Sequence, residues 1–141
     1  AGPDGAAAFA ETLTTLVRRV QDETDADVIL LTPNFMNRGP TQVAEGYADV
    51  VGKFMARQNG GVLAAYAQAV RQVGRERGAP VADVYAAWER LAAAGVNTDA
   101  LLANGLNHPT RDAHRIPAEL LYAHIDPDFT PTVLENLVAS P

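Results

Sequence analysis

Cysteine is absent from the chain, which excludes disulfides, thiolate nucleophiles and zinc-thiolate sites. That absence excludes chemistry, not compartments. Serine is nearly absent as well: the single Ser140 precedes the terminal Pro141, and a serine in a proline-flanked tail is not expected to be a nucleophile. Histidine is confined to His108, His114 and His124. No cluster of Lys and Arg offsets the net charge of -6, so a phosphate backbone is repelled and nucleic acid is not an expected partner. No apolar run approaches the roughly 18 residues of a spanning helix. The opening Ala1-Gly2-Pro3-Asp4 is neither an initiator methionine nor a signal peptide, and reads as a cut or processed end. No phosphate-cradling glycine-rich loop follows an apolar stretch, which argues against a nucleotide-binding α/β module.

What is present suits one folded core: 141 residues, 48 % of them hydrophobic, are enough for a single domain. Phe9, Leu13, Leu16, Val17 and Val20 recur at helical spacing and predict an amphipathic helix over 5–23, with Asp4 as its cap. The acidic link Asp25-Ala26-Asp27 leads into Val28-Ile29-Leu30-Leu31-Thr32, a continuous apolar run expected to be a parallel strand covered on both faces. Residues 34–45, with Asn37, Gly39 and Pro40, form a loop leaving that strand. Tyr47, Val50, Val51, Phe54 and Met55 predict a helix, which Asn59-Gly60-Gly61 breaks. Leu63, Tyr66, Val70 and Val73 predict a second helix, ending near Gly78.

Val81-Ala82-Asp83-Val84-Tyr85 reads as a second short strand, followed by a helix over 86–94 around Trp88 and Leu91. A polar turn, Asn104-Gly105-Leu106-Asn107-His108-Pro109, precedes a final helix capped by Thr110 and kinked or restarted by Pro117. Residues 1–125 are expected to form the folded unit and 126–141 a proline-rich extended tail, within which Val133, Leu134, Leu137 and Val138 can add a short docking helix. Two parallel strands are too few for a sheet with helices on both faces, so a complementary segment on the amino side is expected.

His108 is the residue most suited to chemistry. A turn histidine at the rim of an α/β sheet reaches solvent while its other ring nitrogen is held by a neighbour, as a general base requires. Residue type alone leaves open a structural turn histidine instead. His114 reads as packing or capping, and His124 as a helix-end residue helped by the carboxyl-end dipole. A metal site from His108, Asp112 and His114 is not expected, because residues two apart on a helix point in different directions. Asn34 and Phe35, just past the strand end, are candidates for a substrate cleft, with an ordinary surface loop as the plain alternative.

The block Asn104-Gly105-Leu106-Asn107-His108-Pro109-Thr110, followed by Ala113-His114-Arg115, resembles the last motif of SGNH (GDSL-like) serine hydrolases. Thr32-Pro33-Asn34 after an apolar strand, Tyr66-Ala67-Gln68-Ala69-Val70, and Pro80-Val81-Ala82-Asp83-Val84-Tyr85 resemble upstream parts of the same family in the same order. The likeness covers residues 9–125.

This resemblance implies a three-layer α/β/α, flavodoxin-like fold with a parallel sheet, of which the chain would be the carboxyl-terminal half. It also implies a carboxylic-ester hydrolase working by acyl transfer, with His108 as general base, a small-molecule ester as substrate and no cofactor. The chain departs from the pattern in two ways. The family's acid stands three residues before the histidine, where this chain has Gly105; the nearest polar group is Asn104, with Asn107, Asp112 and Asp83 as further candidates to orient the imidazole. The nucleophile must also come from a complementary amino-terminal segment. The competing reading is a non-catalytic α/β binding module or partner subunit.

Overall fold

The computed structural model describes residues 5–39 and 43–139. The expected cap Asp4, the loop residue Pro40 and the tail residue Ser140 lie outside them. Six α-helices occur among the described residues: α1 (Gly5–Glu23), α2 (Ala48–Asn59), α3 (Val62–Arg77), α4 (Val84–Ala93), α5 (Arg115–Tyr122) and α6 (Val133–Ala139). Among the same residues the sheet has two strands of two residues each, β1 (Leu30–Leu31) and β2 (Val81–Ala82). These run parallel, with Leu30 opposite Val81 and Leu31 opposite Ala82.

The three-layer α/β/α, flavodoxin-like architecture is therefore corrected: the chain is mostly helical around a minimal parallel pair. The reason is local to β2. Pro80 has no amide proton to extend the ladder, and Asp83 turns the chain at once into α4, its side chain accepting from the Ala86 amide as a helix cap. With so short a partner, the apolar run 28–32 is a ladder strand only at Leu30 and Leu31, although the flanking amides of Leu30 and Thr32 still donate to the Pro80 and Ala82 carbonyls. Nor is the strand covered on both faces: Leu30 is 8 % exposed and Leu31 44 %.

Two apolar clusters hold the helices. Val17 of α1, Leu30, Val70, Val73 and Ala79 form the smaller. The larger gathers Phe35, Tyr85, Trp88, Leu91, Ala113, Ile116 and Val133. Close approach of α3 to the sheet depends on Gly74, where an added Cβ would collide with Val81 Cγ2 and come within 2.9 Å of the Ala79 carbonyl oxygen. Gly78 ends α3 in the left-handed region (φ 65°), which glycine adopts without a Cβ penalty.

Pro117 does not kink α5. It falls in the first turn after Arg115, where its missing amide proton costs no helical hydrogen bond. In the segment read as a tail, Val133–Ala139 is helical, and Val133, Leu134 and Leu137 pack on the larger cluster. Glu119 of α5 secures that helix by accepting from the amides of Thr132 (2.9 Å) and Val133 (2.8 Å).

Candidate functional site

Residues 32–39, which follow β1, form neither helix nor strand, yet from Asn34 to Gly39 they are repeatedly bonded to the body of the protein. Asn34 Nδ2 donates to the Asn107 carbonyl at 3.1 Å. The Met36 amide donates to Gln58 Oε1 (2.8 Å), and the Asn37 amide to the Leu106 carbonyl (2.7 Å). Asn37 Nδ2 donates to the Gly105 carbonyl (2.8 Å), and Asn37 is fully buried. The amides of Arg38 and Gly39 both donate to the carboxylate of Asp99, each at 2.9 Å. Backbone groups satisfied in this way hold residues 34–39 against the body of the protein.

The turn bearing His108 is the other half of this arrangement. Asn104 Oδ1 accepts from three successive backbone amides, those of Leu106 (3.0 Å), Asn107 (3.0 Å) and His108 (3.1 Å). Asn104 Nδ2 donates to Asn107 Oδ1 at 3.1 Å. Gly105, at φ 65°, supplies the left-handed residue the tight turn requires. The His108 carbonyl accepts from the Ala103 amide (2.7 Å), the Thr110 amide donates to the Leu101 carbonyl (2.8 Å), and Leu102 bridges Pro109. The backbone of His108 is thus fixed, while its side chain is exposed.

Among the described residues no hydrogen bond reaches the His108 ring. The groups read from the sequence as its orienters are committed elsewhere. Asn104 and Asn107 bind the turn itself. Asp83 forms a paired contact with Arg71, Oδ2 to Nε at 2.7 Å and Oδ1 to Nη2 at 3.0 Å, and also accepts from the Thr32 hydroxyl at 2.9 Å. Burial pushes the Asp83 carboxyl up, but the bonds from Arg71, the Ala86 amide and Thr32 outweigh it and hold the group below the ordinary carboxylate range. Asp112 is exposed. His114 stands at the start of α5, its Nδ1 2.9 Å from the Thr110 carbonyl.

Of the two residues read as substrate contacts, Asn34 spends its amide nitrogen on the Phe35 and Asn107 carbonyls. Phe35 is 4 % exposed, its ring centroid 4.9 Å from that of Tyr85 and 5.9 Å from that of Trp88. Sequence reasoning passed over Asp99 and Gln58, which anchor the loop. No local signal marks them, since Gln58 lies 22 positions from Met36 and Asp99 lies 61 from Arg38. Among the described residues no group of three His, Asp or Glu is placed to hold a metal ion, and no helix is long and apolar enough to cross a membrane. Scanned against family models the chain finds no match, and comparison with curated proteins and with solved structures likewise finds none.

Proposed function

We propose that this chain supplies the general-base half of an ester-hydrolysing site, with His108 taking the proton from a hydroxyl nucleophile and returning it to the leaving alcohol. The observation that carries the reading is the pairing of a fixed backbone with a free ring. Asn104 pins the amides of residues 106–108, Asn34 and Asn37 tie the turn to the loop after β1, and the imidazole stands exposed to solvent. A general base must be held in place and still reach its substrate. The substrate class, a small carboxylic ester, comes from the resemblance of residues 104–115 to the histidine motif of SGNH hydrolases. The nucleophile, and a group to orient the ring, would come from a polypeptide segment other than these 141 residues.

The test is fluorophosphonate labelling of native material captured through an antibody to this chain, with peptide mapping of the labelled serine. The expected label falls on a serine outside this sequence. In the same assembly, His108→Ala lowers hydrolysis of a short-chain nitrophenyl ester by about 10²–10⁴-fold, while His124→Ala does not. Equal rates for the unchanged and His108→Ala assemblies would remove the catalytic role. A second reading, a non-catalytic binding module, is favoured by one observation: no described group orients the imidazole. Absence of any fluorophosphonate-reactive partner would select it.

A further inference from the structure

A cleft of about 490 Å³ lies between the loop after β1 and helix α4, bordered by Phe35, Arg38, Gln58, Tyr85, Glu89 and Ala92. Its hydrogen-bonding character follows from the orientation of one amide. The Met36 backbone N–H is a donor only, so the Gln58 atom that meets it at 2.8 Å is the carbonyl oxygen Oε1. Gln58 Nε2 must then face Tyr85, and it donates to the phenolic oxygen at 3.2 Å. Tyr85 is an acceptor in that bond, and its own proton remains to be given. No described group accepts it.

Both partners are too buried to turn away, Gln58 at 6 % and Tyr85 at 4 % exposed. Burial also pushes the phenol above its ordinary range, so it stays a donor at neutral pH.

The second feature is the Arg38 guanidinium. Its backbone is held on both sides, by Asp99 Oδ1 at the amide (2.9 Å) and by Asn59 Nδ2 at the carbonyl (2.9 Å). Its side chain lies over the Phe35 ring, 5.4 Å from the centroid. It takes part in none of the ion pairs formed among the described residues. The one carboxylate bordering the cleft, Glu89, is instead 3.9 Å from Arg71. A spare hydroxyl proton and a cation that no described residue pairs, beside the Phe35 ring and Ala92, suit one kind of ligand group, the carboxylate of a small organic anion.

We propose that this cleft binds a small organic carboxylate, whose anion accepts from the Tyr85 hydroxyl and faces the Arg38 guanidinium. The site stands on its own geometry and does not rest on the ester-hydrolase reading. Titration of the ¹⁵N-labelled chain with sodium butyrate at constant ionic strength tests it, with butyramide as the uncharged isostere. Saturable amide shifts are expected at Phe35, Arg38, Gln58, Tyr85 and Glu89, with weaker binding of butyramide. Arg38→Gln and Tyr85→Phe should each weaken butyrate about tenfold, the loss of one charge-assisted hydrogen bond, and Glu89→Gln should tighten it. Arg38 is exposed, so its variant keeps the fold even if Tyr85→Phe does not. No saturable shift with butyrate, or equal affinity in Arg38→Gln and the unchanged chain, would overturn the proposal.

Discussion

Asn34 and Asn107 are 73 positions apart in the chain and 3.1 Å apart in space, the side-chain amide of the first donating to the backbone carbonyl of the second. This contact ties the loop leaving β1 to the residue immediately before His108. The exposed histidine is thereby referenced to the sheet rather than to its own turn alone.

Removing that tie should loosen the turn without unfolding the protein. Asn34→Ala is expected to cost about 1 kcal/mol, the net value of a typical hydrogen bond, in urea unfolding. Amide exchange at Asn107 and His108 should quicken, while exchange in α3 stays unchanged.

Asn104 gives a sharper comparison, because its carbonyl oxygen serves three amides at once. Asn104→Ala leaves those donors without their acceptor and should destabilise by about 1–3 kcal/mol. Asn104→Asp keeps an acceptor for all three and loses only the donor to Asn107, so it should recover most of the difference. Thermal unfolding of the two variants side by side measures this.

Acid should release α6 before the rest of the fold. Burial raises the Glu119 carboxyl, but the amides of Thr132 and Val133 and the Arg115 guanidinium outweigh it, and the group titrates below its ordinary value. A depressed folded-state value means that the stabilisation is complete above the ordinary carboxylate range and is lost as pH falls through the lowered one. Asp83 has the same sign and adds to the loss. Glu119→Gln should flatten the acid limb of a melting-temperature profile against pH and lower stability at neutral pH by about 1 kcal/mol, as for a lost helix cap.

Gly74→Ala should be among the most damaging single-methyl additions. The new Cβ would meet Val81 Cγ2 and the Ala79 carbonyl oxygen, and the backbone oxygen cannot step aside as a side chain can. Overpacking of this kind costs about 1–3 kcal/mol. Gly52→Ala, where a Cβ meets nothing within 4 Å, is the control and should be neutral or stabilising, since alanine is the better helix former. Equal unfolding midpoints for the two variants would contradict the close packing of α3 on β2.

The helices were legible because each depends on residues a few positions apart. The stripe Phe9, Leu13, Val17 and the stripe Leu63, Tyr66, Val70, Val73 carry their own period, and α1 and α3 lie where those periods run. The stop at Gly78 is equally local. Strand length was not legible, since a ladder needs a partner: Val28 to Thr32 reads as five strand residues, and Pro80 and Asp83, some fifty positions away, limit it to two. Pro117 was misjudged for a related reason. Whether a proline bends a helix depends on where the helix begins, and α5 begins at Arg115.

For the candidate site, the sequence alone determined the inventory of chemistry. With no cysteine, one serine and three histidines, the sequence offers the imidazole in the turn at 104–109 as its candidate for proton transfer. Tertiary structure decided what each neighbour does. Asn104 serves the backbone rather than the ring, Asp83 is held by Arg71, and Asp99 fastens a loop 60 positions away at Gly39. A polar side chain has few hydrogen-bonding positions, and which of its possible partners fills them is set by contacts across the fold, which no spacing along the chain reveals.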